Sequence, residues 1–173
     1  MKENEVFLID ANIMIEPCNR YYAFDLVPAF WEELAPHFES GEIVLLDLVR
    51  KEILNDELTE WLGRLKHLQI CNHVEASIVA HYQSVMNYIV NSGIYKASAY
   101  DKWAQSNVAD PWLIAAAISN HYTLVTMEVP LRGISKKNQG KTAKLPNIAE
   151  VFDVKWIDLF TMMRRLGICI RGM

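Results

Sequence analysis

The segment ADPWLIAAAISNHYTLVTME, residues 109–128, decides how the chain is interpreted. Asp110 stands before a proline and a series of small and apolar residues, a pattern typical of a capped helix with a closely packed face. The run over residues 123–126 is apolar at its centre and too short for a helix, so it predicts a buried strand. Glu128 follows that strand by two residues. We therefore predict a helix over 110–120, then a strand with an acid at its carboxyl end.

The same alternation of short strands and helices extends along the chain. Apolar runs at 5–9 and 43–46 predict two more strands, each ended by polar residues. Helical periodicity occurs between and after the strands, at 25–38, 47–66, 74–90, 97–105 and 156–166. This order predicts an α/β fold: a three-layer α/β/α sandwich with a central parallel sheet, Rossmann-like.

Composition places the chain among ordinary globular domains. It has 173 residues, of which 51% are hydrophobic and 22% are charged, so we expect residues 1–173 to form a single domain. The N-terminus does not match a secretory signal, and the uncharged stretch 76–95 is interrupted by polar residues. Three cysteines without a CxxC pair argue against a disulfide framework. We expect a cytoplasmic protein that does not span a membrane.

Charge is distributed unevenly. Residues 1–129 contain 8 Lys and Arg against 18 Asp and Glu, whereas residues 130–173 contain 9 against 3. The acidic part is a poor surface for nucleic acid unless cations neutralise it, and the basic part is suited to phosphates. An ordinary solvated basic surface explains the second part equally well.

Four acids are predicted to meet at one edge of the sheet. Asp10 directly follows the first strand, Glu52 lies in the helix after the second, and Asp110 and Glu128 flank the strand at 123–126. Ligands of open α/β sheets bind beyond the carboxyl ends of the strands. Carboxylates crowded there resist ionisation unless cations neutralise them, and all-oxygen sites suit Mg²⁺ or Mn²⁺. Such ions activate water for phosphodiester hydrolysis.

Neighbouring polar residues are expected to support these acids. Asn12 is placed to orient Asp10, and Thr126 to hold Glu128. Taken one at a time, however, each acid also has an ordinary structural interpretation. Asp10 fits a strand-end turn, Asp110 an N-cap, and the two glutamates a solvated surface. Other chemistries are not indicated, because GxSxG, GxGxxG, GxxxxGK[ST] and HExxH motifs are all absent from the sequence.

These motifs together resemble the PIN domain (PilT N-terminus), a nuclease fold common among bacterial and archaeal toxins. FLIDAN at 7–12 resembles its first strand and first acid, and VRKEI at 49–53 its second acidic position. The segment 109–128 resembles the third and fourth acids with their spacing, although aspartate is commoner than glutamate at position 128. The remainder, including 144–154, is similar to a PIN-like branch of presumed toxins.

The resemblance implies a Mg²⁺- or Mn²⁺-dependent endoribonuclease, typically the toxin of a type II toxin–antitoxin pair of the virulence-associated protein C kind. Such toxins are typically homodimers held inactive by a cognate antitoxin. The resemblance assigns metal binding and catalysis to Asp10, Glu52, Asp110 and Glu128. Substrate contacts fall to Asn12 and Thr126, and contacts with RNA phosphates to Lys136, Lys137, Lys141 and Lys144.

Several alternatives remain open from the sequence alone. The lysine-rich stretch also fits a solvated loop, and Trp103 and Trp112 fit core packing as well as base stacking. The helix at 74–90 fits burial against the sheet, or a dimer or antitoxin surface. A non-catalytic PIN-like module that binds RNA or protein, and a structure-specific DNA nuclease, are the alternative functions.

Overall fold

The computed structural model describes residues 5–170, which form a parallel sheet covered by helices on both faces. The strands are β1 (Phe7–Ile9), β2 (Ile43–Leu46), β3 (Ile70–Cys71), β4 (Thr123–Val125) and β5 (Trp156–Ile157). The side chains of β1, β2 and β4 are buried throughout, as expected for strands covered on both faces. The predicted three-layer α/β/α sandwich is confirmed.

The strand order is β3-β2-β1-β4-β5, and every pairing is parallel. β1 lies at the centre, with Phe7 opposite both Ile43 and Thr123. The chain first builds outward from β1 to β3 and then returns to the other side of β1 at β4. The direction of winding therefore reverses between β1 and β4, and the crevice for ligands in such sheets opens at the carboxyl ends of those two strands.

Helices fill the connections between strands. They are α1 (Asn12–Glu16), continued by a π-helical turn over Pro17–Tyr21, α2 (Pro28–Glu39), α3 (Asp47–Glu52), α4 (Asp56–Arg64), α5 (Ala76–Asn91), α6 (Ala97–Trp103), α7 (Asp110–Asn120), α8 (Leu145–Val151) and α9 (Leu159–Leu166). Right-handed crossovers place α1 to α4 on one face and α5 to α8 on the other.

The helix predicted over 110–120 is observed with those bounds, and the helix predicted over 74–90 begins two residues later. Two predicted helices were wrong in extent. The one at 47–66 is divided into α3 and α4 by an extended linker, and the one at 156–166 begins with strand β5. The sequence did not predict β3 or β5, because strands of two residues carry no periodicity.

Small residues let α7 lie deep in the molecule. Ala115, Ala116 and Ala117 are buried, and α7 packs against α5, β4 and α8. Burial of Ile78, Val85, Met86 and Ile89 shows that α5 turns its apolar face to the core. Of the alternatives left open for this helix, burial of the apolar face is observed, and the main partners of α5 are α7 and α6.

On the other face, aromatic side chains form much of the core. Trp31 is stacked on Phe24 at a ring distance of 4.3 Å and meets Phe30 and Trp61 edge to face. Such pairs add stability beyond the area that they bury. None of the helices within residues 5–170 combines the length and the apolar content needed to cross a lipid bilayer.

Candidate active site

Asp10 lies at the centre of the carboxyl edge. Its backbone N–H donates to the carbonyl of Val125 at 3.0 Å, which continues the pairing of β1 with β4 by one residue. Its side chain is only 5% exposed. The carboxylate is therefore fixed at the point where the winding of the sheet reverses.

Thr126 joins Asp10 to the segment after β4. Its hydroxyl donates to Asp10 Oδ2 at 3.1 Å and accepts the backbone N–H of Glu128 at 3.2 Å. Thr126 thus orients the carboxylate of Asp10 and touches only the backbone of Glu128. We predicted that Thr126 supports the Glu128 carboxylate and that Asn12 orients Asp10. Instead, Asn12 is exposed, and within residues 5–170 it makes no hydrogen bond to Asp10.

Both carboxylate oxygens of Glu128 have protein partners. Lys144 Nζ lies 2.6 Å from Oε1, and the backbone N–H of Leu145, the first residue of α8, donates to Oε2 at 2.8 Å. Lys144, predicted to contact phosphate, is therefore paired with the fourth acid. The sequence carries no signal for this pair, since 16 residues and an irregular loop separate its members.

Glu52 lies at the rim of the same edge, as the last residue of α3. Its Oε1 accepts the backbone N–H of Ala109 at 3.3 Å, which connects α3 to the residue before Asp110. Partial desolvation and the nearby charge of Asp110 raise the pKa of Glu52, although the hydrogen bond from Ala109 opposes the shift.

Asp110 does not cap α7. The helix begins at Asp110 itself, with Ala109 before it in a helical conformation and no side-chain cap. The N-cap interpretation was therefore wrong, since a preceding residue that is already helical leaves Asp110 inside the first turn. Asp47, the first residue of α3, accepts the His73 ring at 2.8 Å and the His73 backbone N–H at 3.1 Å.

The two central aspartates resist ionisation. Burial raises the pKa of Asp10 to about 6, with further contributions from the charges of Glu128 and Glu52 and opposition from the Thr126 hydrogen bond. Burial and the charges of Asp10 and Glu128 raise the pKa of Asp110 to about 7, while Lys102 and Lys144 act in the opposite direction. The four acids are thus close enough to affect one another electrostatically.

The donor set suits a hard divalent cation. Asp10 uses one carboxylate oxygen for Thr126, and the carboxylate of Asp110 makes no hydrogen bond within the part of the chain that the structure describes. Free carboxylate oxygens with raised pKa values are the groups that Mg²⁺ or Mn²⁺ would stabilise. Over residues 5–170, however, no three His, Cys, Asp or Glu side chains are gathered closely enough to hold one ion together.

The loop between β4 and α8 carries the other candidate lysines. Lys136, Lys137 and Lys141 are exposed. The loop is attached to the connection between α5 and α6, because the Lys96 N–H donates to Gly140 O and the Gly140 N–H to Ile94 O, both at 2.9 Å. The stem of Lys136 lies over Gly93.

The two candidate stacking residues differ in exposure. Trp103 is buried, which assigns it to the core. Trp112 is partly exposed, but its ring is stacked on Tyr82 at 3.8 Å and meets His73 edge to face at 4.8 Å. A cavity of about 1000 Å³ lies at the opposite edge of the sheet, where Glu5, Thr123 and Lys155 form part of its lining, and none of the four acids lines it.

The fold has counterparts among solved structures. VapBC2 from Rickettsia felis, bound to a DNA fragment from their promoter, is 14% identical with a TM-score of 0.52 over 88% of this chain and 98% of that chain. VapBC-1 from nontypeable Haemophilus influenzae is 15% identical with a TM-score of 0.53, over 90% and 98%. FitAcB from Neisseria gonorrhoeae is 16% identical with a TM-score of 0.51, over 90% and 99%.

Fold and comparisons together define the class: this is a PIN-like α/β domain, as the sequence motifs indicated. The chain belongs to the family described as "Domain of unknown function (DUF4411)", whose model matches residues 7–170. Comparison with curated proteins found no match.

Proposed function

We propose that the protein is a metal-dependent endoribonuclease that hydrolyses RNA phosphodiesters. The observation that carries this proposal is the position of Asp10, which is buried, and Asp110, which is half-buried, at the reversal point of the sheet, where their pKa values are raised to about 6 and about 7. Placing desolvated carboxylates close to one another destabilises a fold. Within the described residues, Asp110 forms no helix cap and no ion pair that would offset this destabilisation. Perturbed acids in a crevice are typical of functional sites.

We assign a role to each residue from the contacts that it makes. Asp10, Asp110 and Glu52 would hold Mg²⁺ or Mn²⁺ partly through water molecules, because the described side chains are not gathered closely enough for three of them to bind one ion directly. Thr126 fixes the orientation of Asp10. Glu128 joins them when Lys144 releases it. When bound, the cation supplies an activated water and stabilises the developing negative charge. Lys144 and the exposed lysines of the β4–α8 loop, which are Lys136, Lys137 and Lys141, then contact phosphates of the RNA backbone.

The test is cleavage of total bacterial RNA by the purified protein with Mn²⁺ or Mg²⁺. We expect discrete cuts with the wild type and metal, and none with EDTA or with Asp10→Asn. Asp101→Asn, a change at an exposed aspartate of α6, is the matched control and should cut like the wild type. If metal-dependent cutting is absent and calorimetry shows no cation binding to the wild type, the proposal fails.

One observation favours a second candidate, a PIN-like module that binds RNA or protein without cutting it. The oxygens of Glu128 are both engaged, by Lys144 and by the Leu145 N–H, so the fourth acid is neutralised without metal. This candidate predicts salt-sensitive RNA affinity that is unchanged by Asp10→Asn and weaker after removal of the loop lysines. A structure-specific DNA nuclease uses the same chemistry, and a parallel assay on branched DNA separates it from the ribonuclease.

We further propose that the protein acts as a toxin restrained by an antitoxin and forms a homodimer, as the PIN resemblance implies. The similar structures are toxin–antitoxin complexes, which supports the antitoxin. Expression of the gene alone should arrest growth, and coexpression of a neighbouring gene should relieve it. Asp10→Asn should remove the growth arrest without preventing the complex from forming. Sedimentation of the purified protein tests the dimer.

A further inference from the structure

A groove of about 450 Å³ opens beside the four acids and shares Glu52 with them. It is lined by Leu48, Lys51, Glu52, Leu54, Ser106 and Asn107. One wall comes from α3 and its link to α4, and the other from the link between α6 and α7. The hydrogen bond from the Ala109 N–H to Glu52 joins the two walls at the end nearest Asp110.

The first wall presents an apolar surface on a fixed backbone. Leu54 is 84% exposed, whereas Ile53 beside it is buried. The Thr59 hydroxyl donates to the Ile53 carbonyl at 3.3 Å, and Asn55 caps α4 through the Leu58 N–H at 3.0 Å. The backbone of the linker is thus held on both sides of Leu54, which places the Leu54 side chain at the groove.

The second wall presents hydrogen-bonding groups. Ser106 and Asn107 are exposed, and neither side chain makes a hydrogen bond within residues 5–170. An asparagine amide carries donors and an acceptor side by side, the arrangement that pairs with the edge of a nucleobase. Lys51 lies at the rim with its Nζ 3.7 Å from Asp47 Oδ2, and its side chain is 69% exposed, so the ammonium group is also open to solvent.

We propose that this groove binds the base of a single-stranded RNA nucleotide next to the scissile phosphate, with Leu54 against the base face and Asn107 at its edge. The proposal rests on the ribonuclease function proposed above. The volume falls within the range of small-ligand sites, about 300–1,000 Å³. The combination of an apolar contact, an amide and a single cation matches one nucleotide, and the shared Glu52 places that nucleotide beside the reacting phosphate.

The test measures RNA binding in EDTA, where cutting plays no part. The probes are a fluorescent uridine octamer and an abasic ribose phosphate of the same length. We expect Leu54→Ser and Asn107→Ala each to weaken binding of the octamer by about threefold or more, and to leave binding of the abasic probe unchanged. Leu26→Ser and Asn87→Ala, at exposed positions outside the groove, should bind both probes like the wild type.

Cleavage assays with Mn²⁺ then separate this proposal from the ribonuclease proposal. If the wild type cuts RNA and the groove variants retain wild-type octamer affinity and KM, the groove proposal is overturned and the nuclease stands. If the wild type does not cut but the variants lose base-dependent affinity, the nuclease fails and the groove stands as an RNA site. Loss of affinity for a coexpressed protein partner, with unchanged octamer binding, would assign the groove to a protein contact and overturn the proposal.

Discussion

Asp110 illustrates how a single residue of the candidate site can oppose folding. It begins α7 in a desolvated position, faces the charges of Asp10 and Glu128, and forms no cap. A carboxylate of this kind is stable when protonated and unfavourable when ionised. Its neighbours therefore determine its ionisation.

The first prediction concerns Asp110→Asn. The folded-state pKa of about 7 lies above the ordinary value of 3.8, so the stabilisation by the protonated form is complete below about pH 4 and is lost as the pH rises through 7. In EDTA at about pH 8, Asp110→Asn should therefore raise the Tm by about 2–8 °C, and near pH 4 it should have little effect. Thermal melts at both pH values measure this. An equal or lower Tm at pH 8 would contradict the prediction, with Asp101→Asn as the control.

The second prediction concerns Thr126, whose hydroxyl is buried and bonded on two sides. Thr126→Val removes the donor to Asp10 and the acceptor for the Glu128 N–H, so the variant should lose about 1–3 kcal/mol in the free energy of unfolding. Thr126→Ser retains the hydroxyl and should retain most of the hydrogen-bonding contribution. Urea unfolding measures both variants, and a valine variant as stable as the wild type would refute the assigned role.

The third prediction concerns Lys144, the partner of Glu128 at 2.6 Å. Lys144→Met removes the positive charge that neutralises the fourth acid, so Mn²⁺ affinity should rise severalfold while the rate of RNA cleavage falls. Calorimetry gives the affinity without relying on activity. Lys141→Met, in the same loop but exposed, should leave Mn²⁺ affinity near the wild-type value. Weaker Mn²⁺ binding by Lys144→Met would show that the lysine supports the cation instead of competing with it.

At the scale of elements, α7 is the part on which the site depends most. It carries Asp110 at its first position, and its alanines pack against α5 and the sheet. The small side chains allow a close approach of α7 to its neighbours, which sets the position of Asp110 beside Asp10. A change of volume inside α7 should therefore disturb both the fold and the site.

The fourth prediction follows from that packing. Ala116 is fully buried, so Ala116→Leu should overpack the core and reduce the free energy of unfolding by about 1–3 kcal/mol. Ala80→Leu, at an exposed position of α5, is the matched control and should change stability little. Chemical denaturation compares the two. If both leucine variants are equally stable, the small side chains of α7 are not needed for close packing.

In the whole molecule, the apolar core stabilises the fold, whereas repulsion among the crowded carboxylates of the candidate site destabilises it. Strands β1, β2 and β4 are buried, Trp31 and Phe30 are buried with them, and the acids collect at one edge of the sheet. Cation binding should therefore be linked to global stability, because it favours the ionised carboxylates of the folded state.

The fifth prediction is that Mn²⁺ raises the Tm of the wild type more at about pH 8 than at about pH 5. At the lower pH, protons compete for Asp10 and Asp110, whose pKa values are about 6 and about 7. Saturation at one hundred times the Kd should add about 2.7 kcal/mol at the higher pH. Asp10→Asn should lose most of this gain. Equal stabilisation at both pH values, or none, would contradict the linkage.

Local apolar patterns were enough to predict the alternation of strands and helices and the position of Asp10 at a strand end. The same patterns led to all four candidate acids. Three features became visible only in the folded chain: the pairing of Glu128 with Lys144, the contact of Thr126 with Asp10 and the groove beside Glu52. Each of these features joins segments that lie far apart along the chain or in irregular loops. No periodic pattern in the sequence predicts which side chains of such segments come into contact.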